Sequence, residues 1–541
     1  MGLIQLRGRT LYLLMKVVCG VSFMMYGYDA GVLGGVLLHK PFLDAIGNPT
    51  DTYTIPMIVA SYDLAAFVTA IAITPYTFRL GRRGTVIMGN IVAIIGSLLQ
   101  ASSYSVAQLI VGRLCTGFAI GCISSAVPTY LSETGVEIGD RGPANISGVP
   151  LAYWIDYGFI MMDNQASWRI PIVFQCIFAF LSGGTMYFLP DTPRWYYARK
   201  YVSPCYPPLL AVVPAAPNCS MCSMGNGISP IRESSRWDEG DAALAQLNDS
   251  EVDSEKVQNT RREILAAIEA ELEANASLNW KQFVTMGFTD HTRLKVVRRL
   301  VMCFWLPMIR EWMGSSLLAY YSSIILATVA RPGLVSLLSG VLNIFYALGC
   351  VPLYFTVERV GRRSVLLYGA IVMTVLLSIF TALVAVGPGH PNIQWASIGV
   401  LFLFLFVFGY SWQGCVWLYC SEIAPLEYRH IGGAFTASGE WLMTFITVFA
   451  GPIGFDGIGW YFWLWVISGN VVAIIFVFLL CPETGGKTLE QVDYLFVRPG
   501  FAGLRSNFDI TEEDVEDAFE AKPKTNAIEQ REETGTYEKT G

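Results

Sequence analysis

The feature that leaves this chain the fewest choices is a succession of twelve apolar stretches, each close to the roughly 20 residues that cross a lipid bilayer. Hydrocarbon offers backbone polar groups no water to bond, so such stretches fold as helices. They run at 12–38, 55–77, 85–103, 106–130, 143–162, 168–189, 300–327, 333–357, 364–387, 395–420, 432–453 and 460–480. Only 15% of the 541 residues are charged, against about 25% in a soluble chain, and the mean hydropathy is +0.46. The expected fold class is an all-α membrane protein with twelve transmembrane helices in contact with the lipid bilayer. The first stretch is too long for a signal-peptide core and lacks a small-residue cleavage site, so it is expected to stay in place.

Charges between the spans set the expected orientation. Arg79, Arg82 and Arg83 follow span two, Arg141 follows span four, Arg359, Arg362 and Arg363 follow span eight, and Arg429 follows span ten. The opposite side carries only Lys40, Arg169 and Arg331. Basic loops stay in the cytosol, which places both termini there.

The net charge of −7 sits largely in the central stretch and the tail, and gives nucleic-acid binding no support. The twelve cysteines lie mostly in apolar spans, where a free thiol acts as a small hydrophobe. Cys219 and Cys222 form one CxxC without two further ligands at a suitable spacing, so neither a metal nor another cofactor is expected. No nucleophile constellation or phosphate loop is present either, and an enzyme is not expected.

The expected organisation is a cytoplasmic N-terminus at 1–11, six spans over 12–190, a cytoplasmic linker with surface helices at 191–299, six more spans over 300–480, and a tail at 481–541. The segment 263–274, EILAAIEAELEA, reads as one of those surface helices. A repeated signal divides the chain in two. FRLGRRG (78–84) follows span two and ERVGRRS (358–364) follows span eight. Gly81 and Gly361 permit a tight turn, while Arg82, Arg83, Arg362 and Arg363 bond helix ends or acidic partners.

Further motifs stand at matching places: GYDAGVLGG (27–35) in span one, VGRLCTGFAIG (111–121) and PTYLSE (128–133) in span four, PDTPRW (190–195) after span six, and PETGGKTLEQVD (482–493) after span twelve. As an ordered set they resemble the sugar porter family of the major facilitator superfamily, most nearly its fungal sugar and polyol transporters, over roughly residues 10–500. The resemblance implies two six-helix bundles around a central site that opens alternately to either side. It implies transport of a small-molecule sugar or polyol, with a proton as second partner, in a monomer of the plasma membrane. An uncoupled facilitator and a nontransporting sugar sensor are the alternatives on the same fold. Gly81, Arg82, Arg83, Glu133, Arg141, Glu358, Gly361, Arg362, Arg363, Glu422 and Arg429 match the family's conformational motifs.

An ionisable group within a hydrocarbon span is costly and faces a cavity or an opposite charge, which makes Arg113 the expected partner of Asp29. The two match the acid and base with which proton-coupled members of the family link proton entry to the conformational cycle. A static ion pair between spans one and four is the alternative.

The second-half substrate positions depart from the family. Arg310 and Glu311 stand where it has paired glutamines, Ser316 and Glu440 where it has asparagines, while Tyr320, Tyr321 and Trp417 keep the aromatic residues. Three ionisable groups near the bilayer midplane require pairing, so Arg310 is expected to meet Glu440 or Glu311. Asp63 and Asp156 carry no assigned role. Span five is shorter than in the family and lacks its glutamine pair, and 201–236 has no family counterpart.

Overall fold

The computed structural model describes residues 6–134, 141–162, 164–198, 230–277, 295–328, 330–425, 428–487, 491–492, 495–496 and 502–505. The first six spans are the helices Gly8–Val36, Thr54–Leu80, Arg82–Ala101, Val106–Glu133, Arg141–Phe159 and Ala166–Phe188. Span seven is split into Val296–Trp312 and Ser315–Ala327. Spans eight and nine are Pro332–Val360 and Arg362–Val386. Span ten runs as Pro391–Phe408, a π-helical turn Gly409–Gln413, and Cys415–Ile423. Spans eleven and twelve are Arg429–Ile458 and Phe462–Leu480. No strand occurs among the described residues.

Nine stretches among the described residues are long and apolar enough to cross a membrane, one of them running through spans eleven and twelve together. Span five, 19 residues containing Pro150 and Asp156, and span seven, in pieces of 17 and 13 residues, do not qualify alone. Both are held by their neighbours. Span five lies against span one so closely that a Cβ on Gly148 would stand 2.6 Å from the Tyr28 backbone nitrogen. Only a residue without a side chain permits that approach.

The helix neighbours repeat with a shift of six. Span three packs on four, one on five, two on four, three on six and one on six; likewise nine packs on ten, seven on eleven, eight on ten, nine on twelve and seven on twelve. The junction between the halves obeys the same shift, because span two meets span eleven and span eight meets span five. Lipid-like apolar packing supplies no driving force between such helices, so polar pairs help fix them. The Ser22 and Ser182 hydroxyls lie 2.6 Å apart between spans one and six, and Ser97 donates to Gln175 at 3.1 Å between spans three and six. Outward faces expose Val68, Phe180, Phe355 and Tyr368, apolar surface of the kind lipid covers.

Several details differ from the sequence expectation, the split of span seven and the π-turn of span ten among them. Span one begins at Gly8 rather than residue 12, since a helix continues past its apolar part while its hydrogen bonds last. Residues 230–236, part of the stretch read as having no family counterpart, open the helix Pro230–Asn248. With Glu255–Ser277, which contains the expected surface helix, it packs on the short helix Pro193–Ala198. There Tyr197 donates to Asp241 at 2.5 Å, Arg261 pairs with Asp241 at 2.9 Å, and Leu244, Val257 and Ile268 form a small separate core. Cys219, Cys222 and the rest of 201–229 lie outside the described residues.

Candidate functional site

Spans one and four bring Asp29 and Arg113 together, Nη1 to Oδ1 at 3.0 Å, with both side chains buried. Arg113 also donates through Nη2 to the Val59 carbonyl at 3.2 Å and lies over the Tyr62 ring at 4.4 Å. The guanidinium is thus held by charge, by backbone and by an aromatic face, and the second Asp29 oxygen, with Thr116 and Gln175 near the carboxylate, makes no well-formed hydrogen bond. One residue beyond Tyr62, Asp63 accepts a hydrogen bond of 2.9 Å from Tyr320 of span seven, in the other half.

The second half builds a denser cluster where span seven breaks. Met313 and Gly314 separate its two pieces, and Gly314 takes φ +100°, a conformation a residue with a side chain rarely adopts. Arg310 pairs with both Glu311 and Glu440, the latter at 2.9 Å, and donates to the Gln413 carbonyl at 3.3 Å. The carbonyl it reaches belongs to the π-turn of span ten, a distortion common at functional sites. The other Glu311 oxygen receives the hydroxyls of Ser315, at 3.1 Å, and Ser316 at the start of the second helical piece. Trp417, half-buried on span ten, stands beside the Glu440 carboxylate. Tyr321 donates away from the cluster, to the Val448 carbonyl at 3.0 Å.

A line of aromatic residues joins the two clusters across the junction. Tyr62 meets Trp441 edge-on at 5.7 Å between ring centres, and Trp441 meets Tyr26 at 4.9 Å. Tyr26 of span one then donates to Glu440 Oε1 at 3.1 Å, and the Trp441 indole donates to Ser124 of span four at 3.2 Å. Asp29, Arg113, Tyr62, Trp441, Tyr26, Glu440, Arg310 and Glu311 therefore form one continuous chain of contacts.

At the end of the bundle bearing the basic loops, each half builds the same network. Arg82 pairs with Glu133 at 2.7 Å, and Thr192 donates to the other Glu133 oxygen at 2.6 Å. Arg362 pairs with Glu422 at 2.9 Å and Glu358 at 2.6 Å, and Thr484 donates to Glu422 at 2.6 Å. Asp191 accepts from the Arg83 backbone at 3.3 Å, as Glu483 does from Arg362 at 2.7 Å and Ser364 at 3.3 Å. Arg83 and Arg363 donate to the Tyr187 and Phe478 carbonyls. Tyr130 and Tyr419 each donate at 2.9 Å to the proline opening the adjacent motif, Pro190 and Pro482. Gly81 and Gly361 turn with φ +84° and +89°, and an added Cβ would strike Asp191 or Glu483. Burial pushes the Asp191 carboxyl up to about 6, against the opposing pull of the Thr192 amide and of Arg82.

Most residues singled out from sequence thus fall into three groups: the Asp29 and Arg113 pair, the Arg310 cluster, and the two basic-loop networks. Arg429 is half-buried at the start of span eleven; Arg141 opens span five, and its side chain lies outside the described residues. Sequence reasoning passed over Tyr26, Tyr62, Trp441 and Gln413, which lie inside spans with no local irregularity in pattern. It also passed over Asp191, Thr192, Glu483 and Thr484, although setting PDT against PET would have exposed their equivalence.

Two six-helix halves related by one shift, with buried ion pairs facing each other across their junction, define a multi-pass membrane protein of the major facilitator class. The same fold is seen in the solved structure of the proton:xylose symporter XylE from E. coli, with a TM-score of 0.68 at 19% identity over 90% of this chain and 99% of that one. The chain belongs to the family described as "Sugar (and other) transporter", whose model matches residues 14–203 and 229–496. The matched segments leave a gap inside the stretch 201–236. Among its relatives are the MFS-type transporter oryC of Aspergillus oryzae, 27% identical over 90% of this chain and 86% of that protein, and the sugar transporter STL1 of Saccharomyces cerevisiae, 25% identical over 91% and 82%.

Proposed function

We propose that this protein carries a sugar or polyol through the membrane by alternating access, together with a proton. The observation carrying the proposal is the buried pair of Asp29 and Arg113, tied through Tyr62, Trp441 and Tyr26 to Arg310 and Glu440 in the opposite half. When Asp29 takes up a proton it releases its hold on Arg113, and the aromatic line conveys the loosening to the second-half cluster. A charged carboxylate in a low-dielectric interior couples its protonation to any movement that changes its partner.

Solute enters beside Tyr26, Trp417 and Trp441, whose faces suit the apolar face of a sugar ring while their polar edges meet hydroxyl groups. Arg310, Glu311 and Glu440 offer charged donors and acceptors where glutamine and asparagine amides would be neutral. The reading favours a polyol, a modified sugar or an acidic sugar derivative over plain glucose. The names of the relatives, a sugar transporter and a proton:xylose symporter, support the substrate and coupling classes.

The proposal includes a monomer in the plasma membrane with both termini in the cytosol, and a domain partition at 12–190 and 300–480 about the linker. It assigns no enzymatic step. Uptake of a panel of labelled sugars and polyols, in cells lacking their own porters and with and without an uncoupler, tests it. Accumulation that collapses on uncoupling is expected. Uptake that equilibrates regardless of uncoupler would make the protein a facilitator, and no uptake would leave the sensor.

A further inference from the structure

The buried centre holds more acids than bases. Glu311 and Glu440 share a single guanidinium, that of Arg310, and Asp29 and Asp63 lie about Arg113 in the other half. All four carboxylates are buried, with at most 1% of each residue exposed. A carboxylate in such surroundings is tolerated when a base neutralises it, and otherwise takes up a proton or a cation.

We infer that the Arg310 cluster is a second proton-binding site, in which Glu311 and Glu440 hold one proton between them. The geometry leaves a place for it. Glu311 spends both oxygens, one on Arg310 and the other on the hydroxyls of Ser315 and Ser316. Glu440 spends Oε1 on Arg310 and Tyr26, while its buried Oε2, with the Trp417 side chain beside the carboxylate, makes no well-formed hydrogen bond. A neutral Glu440 keeps both Oε1 contacts and carries its proton on Oε2, so the cluster becomes one ion pair plus one neutral acid. Two carboxyl groups interacting this closely share a proton as a pair.

A metal cation is a poorer occupant. Arg310 already stands between the two carboxylates, and among the described residues no group of three or more His, Cys, Asp or Glu side chains is arranged to hold a metal. The titratable and charged groups facing Glu440 are Arg310 and Glu311 of span seven, Tyr26 of span one, Tyr62, with Asp63 beyond it, of span two, Arg113 of span four behind Tyr62, and Tyr346 of span eight through Gln413. Of these only Arg310 brings positive charge into contact with the pair.

The site goes beyond transport coupled at Asp29, and its test does not depend on the substrate. Infrared spectra of the purified full-length protein at neutral pH, in reconstituted vesicles, report the carbonyl stretch of neutral carboxyl groups. A band is expected that disappears in Glu440→Gln and equally in Glu311→Gln, because either change leaves one carboxylate matched to one guanidinium. The band is expected to persist in Asp29→Asn, and Asp63→Asn serves to assign any separate band from that residue. A spectrum with no neutral-carboxyl band removed by Glu440→Gln or Glu311→Gln in folded, monodisperse protein overturns the inference. So does a band lost in one of these variants and kept in the other, since sharing requires both. Loss of transport in Asp29→Asn with the band intact would separate the two proton sites.

Discussion

Tyr26 of span one donates a hydrogen bond of 3.1 Å to Glu440 of span eleven, and its ring lies 4.9 Å from that of Trp441. It is the one link in the aromatic line that touches the second-half ion pairs directly.

Tyr26→Phe keeps the ring contact and removes the hydroxyl. An ordinary hydrogen bond contributes about 0.5–1.5 kcal/mol, so the equilibrium between the two open forms should shift by about two- to tenfold. Labelling of cysteines introduced at either mouth, with and without solute, reads that shift. Unchanged labelling would mean that Tyr26 only packs.

Asp29→Asn removes the acid and leaves Arg113 held by the Val59 carbonyl and the Tyr62 ring. Proton-driven accumulation should fall to the equilibrium level while solute exchange continues. Accumulation equal to that of the unaltered protein would identify Asp29 and Arg113 as a fixed tie between helices.

Arg310→Gln combined with Glu440→Asn replaces two opposite charges with amides. Glucose should then compete about five- to tenfold better against the preferred solute, the effect of about one hydrogen bond regained. An unchanged competition order would show that the ion pairs stand in for amides without setting specificity.

Arg82→Ala and Arg362→Ala should act alike, because both break a network built from an acid, a threonine and a buried arginine. Removing one partner of a buried pair costs about 3–5 kcal/mol, which should appear as loss of the form closed at that end. Trapping by a reagent applied from the basic-loop side measures it. A large effect from one substitution and none from the other would break the equivalence of the halves.

Asp191 gives a pH dependence with a defined sign. Its carboxyl is raised by burial to about 6, above the value of about 3.9 expected in an unfolded chain. The neutral form therefore favours the fold, fully below about pH 4, and that contribution is lost as pH rises through about 6. Unfolding temperatures at about pH 4.5 and about pH 7 should converge in Asp191→Asn, which keeps an acceptor for the Arg83 and Thr192 amides. The difference removed should be at most about 3 kcal/mol.

Hydropathy alone delivered the spans, because a bilayer imposes one length and one composition on every helix that crosses it. The Gly-Arg-Arg repeat and the isolated acid in span one were equally plain, since charge among apolar residues stands out locally. What stayed hidden needed contacts between distant helices. Nothing near Tyr26 announces Glu440, 414 residues away, and nothing near Asp63 announces Tyr320. The break of span seven at Gly314 and the π-turn at Gly409–Gln413 were hidden differently. Both depend on how a neighbour is packed, and an apolar run looks the same whether its helix is continuous or bent. Surface helices are expected between the halves, but only 263–274 stands out as one, because the start of Pro230–Asn248 lies in the stretch without a family counterpart.

The shift of six that maps the main helix neighbours of one half onto the other has a consequence for energy as well as shape. Two copies of one packing scheme, joined by matching seams, would let the proposed inward- and outward-open states share the same kinds of contact and so lie close in energy. In the proposed cycle a see-saw so evenly weighted would need only a small load, of the size a bound solute or one proton supplies.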